Sequence, residues 1–387
     1  MTQRRIRVGV AGLGRAFTLM LPTLAAHPRV ELVAAADPRA EARDRFAADF
    51  AGANTYESVD ALAADPRVEA VYVATPHQHH ANNARVAAAA GKHLLVDKPM
   101  AISLDEAAAM VRVARENQVM LVVGPSHSFD LPVLRARKVI EEGALGRVRM
   151  ITALNFTDFL YRPRRPEELD TRSGGGVVFS QAAHQVDIVR LLAGSAVKSV
   201  RAFTGAWDRA RPTEGAYSAL LGFDDGCFAS LTYSGYGHFD SDELTGWIGE
   251  LGQDKDASKY GAARRALAGI DAAAEAEAKA TRNYGGKAYK PSKDGKPWHE
   301  HFGMLVASCE RGDIRPLPDG VLVYGDDKQR KEKLEKPAVP RAGVIDELCD
   351  AIETGKAPLH DGAWGLATLE VCHAILRSAK ESRELAL

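Results

Sequence analysis

Short apolar runs and amphipathic stretches take turns along the first 125 residues. The runs Ile6–Ala11, Val30–Ala36, Ala70–Ala74, His93–Val96 and Val119–Val123 are mainly apolar on both faces, the pattern of strands buried in a parallel sheet. Between them, the stretch from Arg15 and the segments Ala40–Phe50, Val59–Ala64, Ala81–Ala90 and Leu104–Asn117 carry helical spacing. Gly91 marks a helix stop, and Ser103 with Glu106 three residues on marks a helix start. Repeated strand–helix units predict an α/β Rossmann-type domain over residues 1–125, with helices on both faces of a parallel sheet.

The rhythm changes after Gly124. A helical stretch, Leu131–Glu142, ends at Gly143. Strand patterns follow at Val148–Asn155, Val197–Thr204, Ser218–Phe223 and Cys227–Ser234, with a tight turn at Asp224-Asp225-Gly226. Such a succession predicts a mostly antiparallel sheet. The helical pattern Val177–Leu192 interrupts it, so residues 126–387 read as α+β. Gln253–Lys296 is polar and lysine-rich, with an alanine/glutamate run at Ile270–Ala280, and is expected as a surface insertion without chemistry. Val344–Glu353 and Leu366–Ser382 close the chain as helices.

Composition narrows the class. A chain of 387 residues, 46% hydrophobic and 26% charged, suits two soluble domains. A net charge of −1 gives no general drive toward nucleic acid or an acidic membrane. The four cysteines are scattered, which suits a reducing compartment. The first strand begins almost at once, leaving no room for a signal peptide, and no apolar run is long enough to span a bilayer. The expectation is a cytoplasmic enzyme whose partner is a small molecule.

The candidate chemistry begins where the first strand meets Gly12-Leu13-Gly14. Gly12 permits a tight turn, Gly14 leaves room for a pyrophosphate, and the helix starting at Arg15 and Ala16 offers free N–H groups. The second strand ends at Asp37, which can accept ribose hydroxyls. Strand, glycine turn, helix, strand and acid in that order predict dinucleotide binding, although Phe17 stands where a third glycine is usual. Asp37 favours NAD over NADP because a carboxylate repels a 2′-phosphate; Arg39 could pair with that phosphate instead.

Two further strand ends carry polar groups: Thr75-Pro76-His77 with His80, and Asp97-Lys98-Pro99. Ligands bind at the carboxyl ends of parallel strands, and the Lys98 ammonium could hydrogen-bond a substrate hydroxyl. Pro99 restricts the backbone there and permits a cis bond. Farther on, Gly174-Gly175-Gly176 would let a helix start approach a ligand closely, and Ser180, His184 and Asp187 share one face of that helix. His184 could take a proton, oriented by Asp187. The clusters His77/His79/His80 and His299/His301 lack the ligand set of a zinc site, so no metal is expected.

Together these stretches resemble the Gfo/Idh/MocA family of oxidoreductases. The family's E-K-P appears as Asp97-Lys98-Pro99, its T-P-N-x-x-H as Thr75-Pro76-His77 and His80, and its G-G-G…D-x-G-x-H-x-x-D as Gly174–Gly176, Ser180, Ala182, His184 and Asp187. The resemblance implies a Rossmann domain followed by an α+β domain on an open, mostly antiparallel sheet. It also implies Lys98 and His184 as catalytic residues, coenzyme contacts from Asp97 and Lys98, and a homodimer or homotetramer built through that sheet. Ser180 replaces an aspartate that binds polyol hydroxyls in sugar and inositol dehydrogenases. The variant Gly174–Asp187, with His301–Val321, is most similar to the branch of cis-dihydrodiol dehydrogenases of phthalate and chlorobenzoate breakdown. A carboxylated ring fits Asp158–Arg172, where Arg162, Arg164, Arg165 and Arg172 could grip a carboxylate and Phe159 and Tyr161 could pack on the ring. His127 completes the substrate-contact set. The alternatives are a polyol dehydrogenase of the same fold and a non-catalytic NAD-binding regulator.

Overall fold

The computed structural model describes residues 4–291 and 296–387. They form two compact units: Met1–Pro125 with Ala276–Lys293 and Pro337–Leu369, and Ser126–Glu275 with Asp294–Lys336 and Glu370–Leu387.

The first unit holds a parallel sheet of β1 (Ile6–Ala11), β2 (Val30–Ala36), β3 (Asn54–Tyr56), β4 (Ala70–Val73), β5 (His93–Val96) and β6 (Leu121–Val123), in the order β3-β2-β1-β4-β5-β6. Between its strands lie the helices α1 (Arg15–Ala26), α2 (Ala40–Asp49), α3 (Val59–Ala64), α4 (His80–Ala89) and α5 (Leu104–Glu116). The Ser58 and Ser103 hydroxyls cap α3 and α5, accepting from the N–H groups of Ala61 and Glu106. At the end of β1, Gly12 has φ +92°, and a Cβ there would stand 2.9 Å from the Thr75 nitrogen. Only glycine lets the β1 and β4 ends come so close. At the other edge, Val123 donates its N–H to the His360 carbonyl, so late chain covers β6.

The expectation of a mere surface insertion at Gln253–Lys296 is corrected here; residues 292–295 of it lie outside the described residues. Tyr284 is fully buried, its ring 5.1 Å from Phe17 and 6.5 Å from Phe46, and its hydroxyl donates to Asp49. Phe17, the residue in place of the third fingerprint glycine, is what this tyrosine packs on. Polarity of the segment hid one apolar anchor. In the second unit, Glu275 of the same segment is buried against Arg211 at 2.8 Å and accepts the Arg164 N–H.

The second unit carries α6 (Leu131–Glu141), β7 (Val148–Phe156), α7 (Ala183–Ala193), β8 (Val197–Gly205), β9 (Ala216–Phe223) and β10 (Phe228–Ser234). Four more strands, β11 (Met304–Cys309), β12 (Gly312–Leu317), β13 (Gly320–Tyr324) and β14 (Gln329–Lys333), follow as a meander, and β15 (Leu385–Ala386) ends the chain. The sheet order is β14-β13-β12-β11-β7-β10-β9-β8-β15. All pairs are antiparallel except β7 with β10. One face buries Ile151, Ala153, Ala229 and Leu231; the alternate residues Met150, Phe203, Leu220 and Phe228 are exposed. A π-helical turn, Val178–Ala182, leads into α7.

Candidate active site

The glycine turn meets the requirements for a dinucleotide. A Cβ on Gly14 would touch nothing, and no side chain caps the start of α1. Arg15 and Ala16 open that helix. Asp37 is buried, and its carboxylate already accepts four N–H groups: Leu13 (2.8 Å), the Arg39 backbone (2.9 Å), and Arg39 Nε and Nη2 (3.0 and 3.2 Å). Arg39 also donates to the carbonyls of Leu13 and Tyr284. In this arrangement Arg39 neutralises Asp37.

The ends of β4 and β5 are tied together by His80. Its ring nitrogens lie 2.7 Å from the Thr75 carbonyl and 2.9 Å from the Pro99 carbonyl, and it is fully buried. His80 therefore holds the backbone around Lys98 instead of presenting an edge to a coenzyme, a correction to its expected role. Burial pushes its imidazole below the usual histidine range, against the opposing charge of Asp97. Burial also raises Asp97, which accepts the Tyr72 hydroxyl at 3.1 Å; the Lys98 charge opposes the rise. The Lys98–Pro99 peptide is cis. Thr75 accepts from the Asn83 amide, and the half-buried His77 ring is 5.7 Å from that of His80, with Pro76 at the turn between strand and helix.

In the second unit, α7 brings His184 against Ser126 and His127, just past β6. His184 Nδ1 lies 3.3 Å from Ser126 Oγ and 3.4 Å from the His127 backbone nitrogen. The His127 and His184 rings meet edge to face at 4.7 Å, and Phe302 packs 4.9 Å from both. Tyr233 stacks 6.1 Å behind Phe302, and Phe159 stands 6.5 Å from Tyr233. His127 Nδ1 lies 2.6 Å from Asp130 Oδ2. Burial alone would lower His127, but Asp130, then Glu300 and Glu250, raise it above the usual range.

Two expectations change around this helix. Ser180 lies within the π turn and donates its hydroxyl to the Gly176 carbonyl four residues back. The room left by the glycines belongs to the protein itself. A Cβ on Gly175 would stand 2.5 Å from the Glu167 carbonyl, and one on Gly176 2.0 Å from the Glu214 carboxylate, which receives the Val178 N–H. Asp187 is buried on α7. The arginines divide: Arg172 is 91% exposed and paired with Asp170, whereas Arg164 is buried with its guanidinium 3.6 Å over the Phe159 ring. Arg162 pairs with Asp158 at 3.1 Å and reaches Glu250 at 3.7 Å.

Among the described residues, one trio, His127, Asp130 and Glu300, has ligand atoms within 4.8 Å of one another. The direct His127–Asp130 bond already satisfies two of them. His299 and His301 each face a backbone carbonyl, of Leu334 and Ile248.

Residues 6–125 match the oxidoreductase family with an NAD-binding Rossmann fold, and residues 133–252 match the GFO/IDH/MocA C-terminal domain. Over 378 residues the chain is 46% identical to 1-carboxy-3-chloro-3,4-dihydroxycyclohexa-1,5-diene dehydrogenase of Comamonas testosteroni, covering 97% of this chain and 95% of that one. The chain belongs to the Gfo/Idh/MocA family. A Bordetella bronchiseptica RB50 protein, assigned as a dehydrogenase, superposes with a TM-score of 0.93 at 41% identity, over 99% of this chain and 100% of that one. Levoglucosan dehydrogenase, solved with NADH and levoglucosan, shares the fold at a TM-score of 0.74 and 18% identity, over 99% of each chain. No helix among the described residues is long and apolar enough to cross a membrane.

The reading of the sequence missed Asp130, Phe302, Tyr233 and Glu250. One signal was present: Ser126-His127-Ser128-Phe129-Asp130 follows a parallel strand directly, with histidine and acid three apart. Phe302 and Glu250 come from distant chain, and nothing local marks them.

Proposed function

We propose that this Gfo/Idh/MocA protein is an NAD-dependent dehydrogenase that oxidises a carboxylated cis-dihydrodiol of cyclohexadiene toward a catechol. The observation that carries the reading is the wall of Phe159, Tyr233 and Phe302 beside two imidazoles, with Arg162 and Arg164 next to it. A flat ring packs on aromatic faces, and a guanidinium recognises its carboxylate. The likeness to the Comamonas enzyme supports the same substrate class. Bound nicotinamide supplies the hydride acceptor. Gly12, Leu13, Gly14, Arg15 and Ala16 would hold the coenzyme's pyrophosphate, and Asp37 its ribose. We assign Lys98 to steadying the developing alkoxide and His184 to a hydrogen bond with the substrate. The ketone formed tautomerises to the aromatic ring, which pulls the reaction forward. Asp37 favours NAD, and its pairing with Arg39 keeps discrimination against NADP modest. The exposed face of the second sheet joins copies of the chain, and the protein works in the cytoplasm.

Coenzyme reduction measured with dihydrodiols, sugars and inositols tests the substrate class; turnover of polyols alone overturns it. Lys98→Ala should lower kcat by about a hundredfold or more while NAD binding survives. Unchanged turnover removes Lys98 from the mechanism.

A further inference from the structure

In the second unit, the helix position one turn before His184 carries Ser180, whose hydroxyl serves its own helix. Serine stands at that position where the family pattern has aspartate. The His127 backbone N–H points at His184 Nδ1, so the neutral His184 ring carries its proton on Nε2 and offers a donor. A proton acceptor is still required when a carbinol is oxidised.

The neighbouring ring has the missing arrangement. His127 Nδ1 is bound to Asp130 Oδ2 at 2.6 Å, both side chains are more than nine-tenths buried, and the pair lies edge to face with His184 at 4.7 Å. A proton held on Nδ1 by a carboxylate leaves the Nε2 lone pair as the acceptor. Phe302 fixes the ring from one side. The groups that bear on its charge are Asp130, Glu300 and Glu250, with His184 beside it.

Building on the dehydrogenase reading above, we infer that His127 and Asp130 form the acid–base dyad of this site, with His184 as hydrogen-bond donor to the substrate oxygen. As the carbinol C–H bond breaks, its electron pair leaves for the nicotinamide and the C=O bond forms. The O–H bond breaks in the same step and its proton passes to His127 Nε2, making an imidazolium held by Asp130. The carbinol is oxidised, the dinucleotide is reduced, and the proton is later released to water. In the reverse direction the imidazolium is the acid. Oxidation should therefore rise with pH through the His127 titration, and carbonyl reduction should fall.

Two variants and two readouts test this. With a carboxylated cis-dihydrodiol and NAD, His127→Gln should lower kcat about a hundredfold or more, with the KM for NAD held within about twofold. Asp130→Asn, which keeps a hydrogen-bonding side chain without its charge, should lower kcat about tenfold and move the acid limb of the kcat profile to lower pH. In the coenzyme-free protein, the NMR titration of the His127 ring, assigned by its loss in His127→Gln, should have a midpoint above the ordinary 6.5 that falls in Asp130→Asn. A His127→Gln enzyme keeping more than about a third of kcat, or an acid limb unmoved in Asp130→Asn, overturns the dyad. Wild-type protein inert toward the diol overturns the dehydrogenase reading instead. The NMR titration then judges the pair, and a midpoint unchanged in Asp130→Asn overturns it.

Discussion

Each unit buries a histidine, and the two are treated in opposite ways. His80 in the first unit sits between two carbonyls, and burial lowers its pKa. His127 in the second unit sits against a carboxylate and is pushed toward the charged form. The same side chain acts as a brace in one place and as a proton carrier in the other. The partner decides: two backbone carbonyls cannot compensate a buried charge as a carboxylate can.

That contrast fixes the sign of two pH effects. His80 has a lowered pKa in the fold, so its contribution is intact above the unfolded value of 6.5 and is lost as pH falls below it. His127 has a raised pKa, so its contribution is full below 6.5 and is lost as pH rises through its folded pKa.

Substitutions can break or sharpen the comparison, from the largest expected effect to the smallest. Tyr284→Ala strips the buried ring from α1 and α2 of the first unit and should cost about 3–5 kcal/mol in chemical denaturation. Arg211→Met leaves Glu275 buried without its partner in the second unit and should cost about 3 kcal/mol by the same measurement. A milder result there would mean that water reaches Glu275. The two histidine effects are smaller, each at most one proton's slope, about 1.4 kcal/mol per pH unit. His80→Gln should remove stability loss on the acid side of 6.5, and His127→Gln should remove it on the alkaline side. Identical pH profiles for both variants would erase the distinction. Ser103→Ala, which removes the cap of α5, should cost about 1 kcal/mol.

The first unit was largely legible in the sequence because its strands are continuous apolar runs and its helices carry caps at Ser103 and Gly91. Period and punctuation agreed at each step. In the second unit the helices and β7 to β10 were legible, whereas β11 to β14 were not. Gly312–Leu317 holds a proline and Gln329–Lys333 is polar throughout, because these strands lie toward one edge of the sheet where only one face needs apolar cover. The parallel pairing of β7 with β10 joins strands far apart in sequence, and no local pattern records it. The same limit applied to the site. Lys98, His184 and the glycine turn stood out as motifs. Glu250 and Phe302 gain meaning only from packing, and the glycines at Gly175 and Gly176 make room for Glu167 and Glu214, not for an outside molecule.

Tyr284 also bears on the order in which a ribosome delivers the chain. The aromatic floor formed by Phe17 and Phe46 emerges early, yet its cover is synthesised more than two hundred residues later. A nascent chain that has reached Pro125 holds every strand of the parallel sheet but leaves those two rings open to solvent. Cutting the gene at that boundary would give a fragment prone to self-association, so a stand-alone coenzyme module would need the Tyr284 peptide spliced back on.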